Sequence, residues 1–105
     1  ATHANHPEGE NTSPYELFRS EALKNDSVYR MHGLWELLYA ERGRLTPQKA
    51  LMMLADHTTY PRGICKHYNE NGALTTAAVI AEPTRGKLHL VRGQPCCNWP
   101  VTYTI

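Results

Sequence analysis

The stretch LTTAAVIAEPTRGKLHLVRG, Leu74 to Gly93, decides the fold class. Its first half is rich in β-forming residues and is bounded by Gly72 and Pro83. Pro83 to Gly86 reads as a tight turn, and Lys87 to Gly93 as a second strand, so the two halves predict an antiparallel hairpin. Ala77, Val79 and Ala81 alternate with Ala78, Ile80 and Glu82. Small or apolar residues on both alternations predict a first strand covered on both faces.

Upstream of the hairpin the period changes from two to nearly four. Asp26-Ser27 offers an N-cap, and Val28, Met31, Leu34, Trp35, Leu38 and Tyr39 follow at helical spacing. Gly33 costs this helix about 1 kcal/mol relative to Ala, and Gly43 ends it. Thr46-Pro47 opens a second helix, with a capping Thr and Pro at the first position. That helix carries Ala50, Leu51, Met52, Met53 and Leu54 and is expected to end near His57. Trp35, Met52 and Met53 are expected in the core.

Two irregular segments separate these elements, at 6–26 and 58–72. The first is expected to hold a short helical turn at YELFRSEAL, 15–23. Residues 1–5 read as the end of a strand with no sequence neighbour to pair with, which points to partner strands outside these residues. Beyond the hairpin, QPCCNWPVTYTI ends in another short extended piece, with Trp99-Pro100 expected to dock it. Clustered helices followed by a hairpin predict an α+β arrangement.

Bulk properties narrow the function. The chain has 105 residues, enough for one small domain. With 41% hydrophobic and 20% charged residues, wholesale disorder is excluded. A net charge of +1 gives no reason to expect nucleic acid. Apolar runs fall far short of the roughly 18 to 20 residues that span a bilayer, so no membrane partner is expected. The three cysteines are Cys65, Cys96 and Cys97. An odd count with two adjacent argues against a disulfide framework and favours a reducing, cytoplasmic setting.

Cys65, His67, Cys96 and Cys97 have the ligand types of a zinc site. However, the spacing lacks a CxxC or HxxxH pair, and adjacent cysteines rarely both bind one tetrahedral ion. No metal and no cofactor is therefore expected. Cys65 reads as an inert buried thiol, and His57 as a partner of helix C-terminal carbonyls. His32 and His89 read as filler within a helix and a strand.

Four features, in order, carry a resemblance. They are Thr2-His3-Ala4-Asn5-His6, LADH at 54–57, YPRGICKH at 60–67, and TTAAVIAEPTRGKLHLVRGQPC at 75–96. Together they resemble the C-terminal part of the acyl-coenzyme A:6-aminopenicillanic-acid acyltransferase-like family of cysteine N-terminal-nucleophile hydrolases. The resemblance implies an αββα sandwich of two antiparallel sheets between helical layers. Residues 1–105 would then be the C-terminal segment of one such domain, completed by another chain.

That companion, cut from the same precursor, would carry the nucleophilic N-terminal Cys. It would act on a small-molecule amide or acyl thioester, with its own α-amino group as base. The resemblance makes Asn5 an oxyanion-hole donor; on residue type alone a cap for the turn before Pro7 is the better reading. It puts His6 beside Asn5 or the substrate, and Arg62 and Lys66 near the substrate pocket. The alternative reading, from a different class, is a freestanding small α+β ligand-binding module that uses loops 6–26 and 58–72.

Overall fold

A computed structural model describes residues 2, 4–12, 14, 20–58, 63–67 and 73–105. Helix α1 spans Glu21–Ala40 and helix α2 spans Pro47–Leu54. The strands are β1 (Ala77–Glu82), β2 (Lys87–Arg92) and β3 (Val101–Thr104). The described residues form a small α+β fold in which α1 packs on α2 and α2 on β1.

Helix α1 starts earlier than its apolar stripe predicts. The N-cap is Ser20, whose hydroxyl accepts the Leu23 N–H at 3.3 Å. Asp26 and Ser27 are therefore not caps. They lie inside the helix and are its only buried residues. Their side chains find tertiary partners instead, which compensates for burying polar groups. The expected helical turn at 15–23 merges into the start of α1 from Ser20 onward; residues 15–19 lie outside the described residues. Trp35 is 51% exposed and stacks on Tyr39, with ring centroids 5.1 Å apart, so it is not a core residue.

Helix α2 begins as its sequence predicts. The Thr46 hydroxyl accepts the Lys49 N–H at 3.2 Å, and Pro47 takes the first position. It stops at Leu54, short of His57, with Ala55 closing the last turn. Met53 enters the core while Met52 faces outward. Lys49 Nζ donates to Glu41 Oε2 at 2.6 Å, tying the two helices together. That bond holds the Glu41 carboxyl below its ordinary pKa.

The sheet has the order β1-β2-β3, with both pairs antiparallel. Ala78 lies opposite Val91, and Leu90 opposite Val101. Pro83–Arg85 form a single 3-10 turn, and Gly86 completes the reversal at φ +60°. Only glycine takes that conformation without strain. The hairpin is thus as the sequence predicts, but its burial is one-sided. Ala78 and Val91 are buried, whereas Val79 is 49% exposed, so among the described residues β1 is not covered on both faces.

The tail is extended as expected, yet Trp99 does not dock it, being 92% exposed. The β2–β3 ladder and the bond from Ile105 N–H to Gly86 O, at 2.7 Å, hold it instead. Every residue of β3 is exposed. Among the described residues the buried apolar core consists of Met53, Cys65, Ala78 and Val91. At the N-terminus, Thr2, Ala4 and Asn5 are not in a strand, contrary to the expectation; Ala1 and His3 lie outside the described residues. No described helix is long and apolar enough to cross a membrane.

Candidate active site

The segment from Gly63 to His67 positions most of the chemistry. Its backbone is laced to two neighbours. Cys65 N–H donates to Asp56 O at 3.0 Å, just after α2. On the other side Lys66 N–H donates to Thr75 Oγ1, and Thr75 N–H to Lys66 O, both at 2.8 Å. Gly63 permits the close approach to α2's exit. A Cβ there would lie 3.0 Å from Asp56 O and 3.1 Å from the His57 Cα.

Successive side chains on extended backbone alternate in direction. Lys66 is buried and reaches Asp26 in α1, its Nζ donating to Oδ1 at 2.6 Å. The second carboxylate oxygen of Asp26 accepts from Arg30 Nε at 3.0 Å, one helical turn along. Arg30 then donates through a terminal nitrogen to Asn5 Oδ1 at 2.8 Å. The result is a continuous chain, Lys66–Asp26–Arg30–Asn5, of charge-assisted hydrogen bonds, which are the strong kind. These four residues line one cleft of about 430 Å³, together with apolar groups that include Leu23, Ile64 and Leu74.

Asn5 is fixed at a second point. Its backbone N–H donates to Ser27 Oγ at 2.8 Å, and His6 Nδ1 meets the same hydroxyl at 2.8 Å. His6 is buried and does not line the cleft; it stands behind Asn5 against α1. Arg62 lies outside the described residues. Asp26 and Arg30 were not among the site residues expected from sequence. Their i, i+4 spacing was visible, but it is common on solvated helix faces.

The flanking side chains of the same segment, Cys65 and His67, join a second group. His67 Nε2 lies 3.0 Å from Cys96 Sγ, 3.2 Å from His57 Nε2 and 3.9 Å from Cys65 Sγ. His57 therefore does not serve the carbonyls of α2; its ring, beyond the helix end, faces His67 at a centroid distance of 5.1 Å. Burial pushes the Cys96 thiol pKa up, and the Cys65 thiol adds to the rise. Contact with Cys96 raises Cys97 likewise. At the hairpin, His89 bridges Glu82 Oε1 at 2.7 Å and Thr102 Oγ1 at 2.8 Å, so it is a cross-strand link and not filler.

No protein-family model matches the chain, and no curated protein matches it.

Proposed function

We propose that this chain is the C-terminal portion of a cysteine N-terminal-nucleophile amide hydrolase or acyltransferase, with Asn5 as an oxyanion donor. The finer fold belongs to the same proposal: the two helices and three strands are one part of an αββα sandwich. The observation that carries it is the shared cleft. Asn5 and Lys66, distant in sequence, line one cavity and are joined through Asp26 and Arg30.

An oxyanion donor must present N–H, be fixed before reaction, and sit in a restricted site. Arg30 engages the oxygen end of the Asn5 amide, which fixes the flip state of the side chain. The backbone bond to Ser27 fixes its root. In the proposed reaction the companion's α-amino group takes the thiol proton, the thiolate attacks the acyl carbonyl, and the new C–O⁻ accepts from Asn5 Nδ2. As the adduct collapses, the C–N bond breaks and the α-ammonium group returns that proton to the leaving amine, leaving a thioester that water or a second amine resolves.

The lining also suits a substrate class. Lys66 and Arg30 bring two positive charges and Asp26 one negative, a local excess of one cation beside apolar walls. An acyl amide bearing a carboxylate matches that pattern. The exposed apolar residues Trp99, Val101, Tyr103 and Ile105 support the packing of a further polypeptide beside the sheet.

Intact mass and N-terminal sequencing of the purified protein test the first half. The expected result is a companion polypeptide that begins with Cys; a monodisperse 11.9 kDa monomer would favour the freestanding binding module. For the second half, Asn5→Ala should lower kcat on N-acyl amides by about 10²- to 10³-fold, with the fold intact. Unchanged turnover would remove Asn5 from the mechanism.

A further inference from the structure

We infer that His57, Cys65, His67 and Cys96 form a zinc site that clamps three separate segments of the chain together. The four ligand atoms all lie within 4.8 Å of one another. They come from the exit of α2, the 63–67 segment and the turn after β2.

Hydrogen bonding does not account for this convergence. The Nε2 of a histidine ring has either one N–H or one lone pair, so it makes one good hydrogen bond. His67 Nε2 nevertheless has three polar neighbours, at 3.0, 3.2 and 3.9 Å. One of them is another ring nitrogen. Four Lewis bases around a common point are what a tetrahedral cation requires.

The dimensions agree. With Zn–N of about 2.0–2.1 Å and Zn–S of about 2.3 Å, a tetrahedron has N···N edges of about 3.3 Å and N···S edges of about 3.6 Å. The observed N···N distance is 3.2 Å, and the two N···S distances from His67, 3.0 and 3.9 Å, straddle the mixed value. A donor set of two thiolates and two imidazoles in this geometry selects Zn²⁺. All four positions are filled by protein, so the site is structural, with no open position for a reacting water.

Binding is balanced by proton release. Zn²⁺ takes up Cys65 and Cys96 as thiolates, and their two protons leave to solvent; both histidines bind neutral through Nε2. Burial supports the assignment, since Cys65 is 2% exposed while His57 and Cys96 face solvent and give the ion an entry path. Cys97, adjacent to Cys96, is outside the group.

The test is metal content and ligand spectroscopy on the purified protein with any companion polypeptide, under reducing conditions, so it does not depend on turnover. The expected result is about one zinc per chain, surviving gel filtration with a weak chelator. After zinc is exchanged for Co²⁺, tetrahedral d–d bands and a thiolate-to-cobalt charge-transfer band should appear. Cys96→Ser and His57→Asn, both at exposed positions, should lower zinc retention by about tenfold or more. Three results would overturn the inference: wild-type protein that binds neither Zn²⁺ nor Co²⁺ on titration, cobalt spectra unchanged in Cys96→Ser, or a Cys65–Cys96 disulfide in the freshly isolated protein with no zinc. Should either variant misfold, the wild-type cobalt spectrum decides alone.

Discussion

The buried ion pair between α1 and the 63–67 segment allows a sharp test of what holds the cleft. Lys66 and Asp26 side chains are 8% and 12% exposed and meet at 2.6 Å. Removing one member of a buried pair leaves the other charge without its counterion, which costs about 3–5 kcal/mol. The two partners are not equivalent. Asp26 also holds Arg30, whose side chain is 23% exposed, so Lys66→Met leaves the carboxylate with one cation. Asp26→Asn instead strips both cations of their shared anion.

Asp26→Asn should therefore cost about 3–5 kcal/mol and Lys66→Met about 1–3 kcal/mol, while the double variant costs less than the sum by about 1.5 kcal/mol or more. Urea unfolding of all four proteins, fitted with a common slope, gives the cycle. Raising salt from about 0.1 M to 1 M shortens the screening length from about 10 Å to 3 Å. The coupling should weaken much less than that of a solvated pair, because both side chains are largely buried. The Arg85–Glu82 pair, 64% and 17% exposed, serves as the control, and its contribution should fall as salt rises. Additive single effects within about 0.5 kcal/mol would refute the claim that Asp26 and Lys66 act as a unit.

Other outcomes follow from the same contacts. Gly63→Ala should destabilise by about 1–3 kcal/mol, because both crowding atoms are backbone and cannot swing aside; thermal or urea unfolding measures it. Gly86→Ala should cost about 1 kcal/mol from the positive φ alone, and more from the contact with Ile105 O at 3.1 Å, by the same assay. The His89 hydrogen bond holds the Glu82 carboxyl below its ordinary pKa. A depressed carboxylate pKa contributes stability above the unfolded pKa of about 4.3, and that contribution is lost as pH falls through the folded value. The stability gap between wild type and Glu82→Gln should thus be constant near neutrality and close on acidification. Arg30→Leu should lower kcat more than it raises KM, as expected of a positioning residue that holds Asn5; the reverse pattern would assign Arg30 to substrate binding.

The local signals in the sequence were strong where neighbours along the chain decide the structure. Thr46-Pro47 marked the start of α2 because a cap needs only its own first turn. The hairpin was legible because Pro83, Gly86 and the flanking β-formers are close together. The start of α1 was misread for a tertiary reason. Asp26-Ser27 has the chemistry of a cap, but Lys66, His6 and Asn5, all distant in sequence, satisfy both side chains within the helix. Burial was misread for the same reason. Trp35 and Met52 sit at helical spacing but on faces that the described residues leave half or more exposed. Of the cleft, Asn5 and Lys66 come from the family resemblance and not from residue type, while the links Asp26 and Arg30 emerge only once α1 is placed.

The cysteines and histidines make the limit of sequence spacing plain. Sequence alone argues against a zinc site at Cys65, His67, Cys96 and Cys97, which lack paired spacing. The fold replaces the strained neighbour Cys97 with His57, which the end of α2 at Leu54 releases toward His67. The segment from Cys65 to His67 then does two jobs. Its odd residues face the proposed metal, and Lys66 between them faces Asp26 and the cleft. Anchoring both neighbours of Lys66 to one ion limits how far its Cα can shift. The ammonium is thereby held against Asp26, and the chain of contacts to Asn5 inherits that restraint. A segment otherwise secured by its bonds to Asp56 and Thr75 and by the Lys66–Asp26 pair would gain rigidity beside the proposed oxyanion donor.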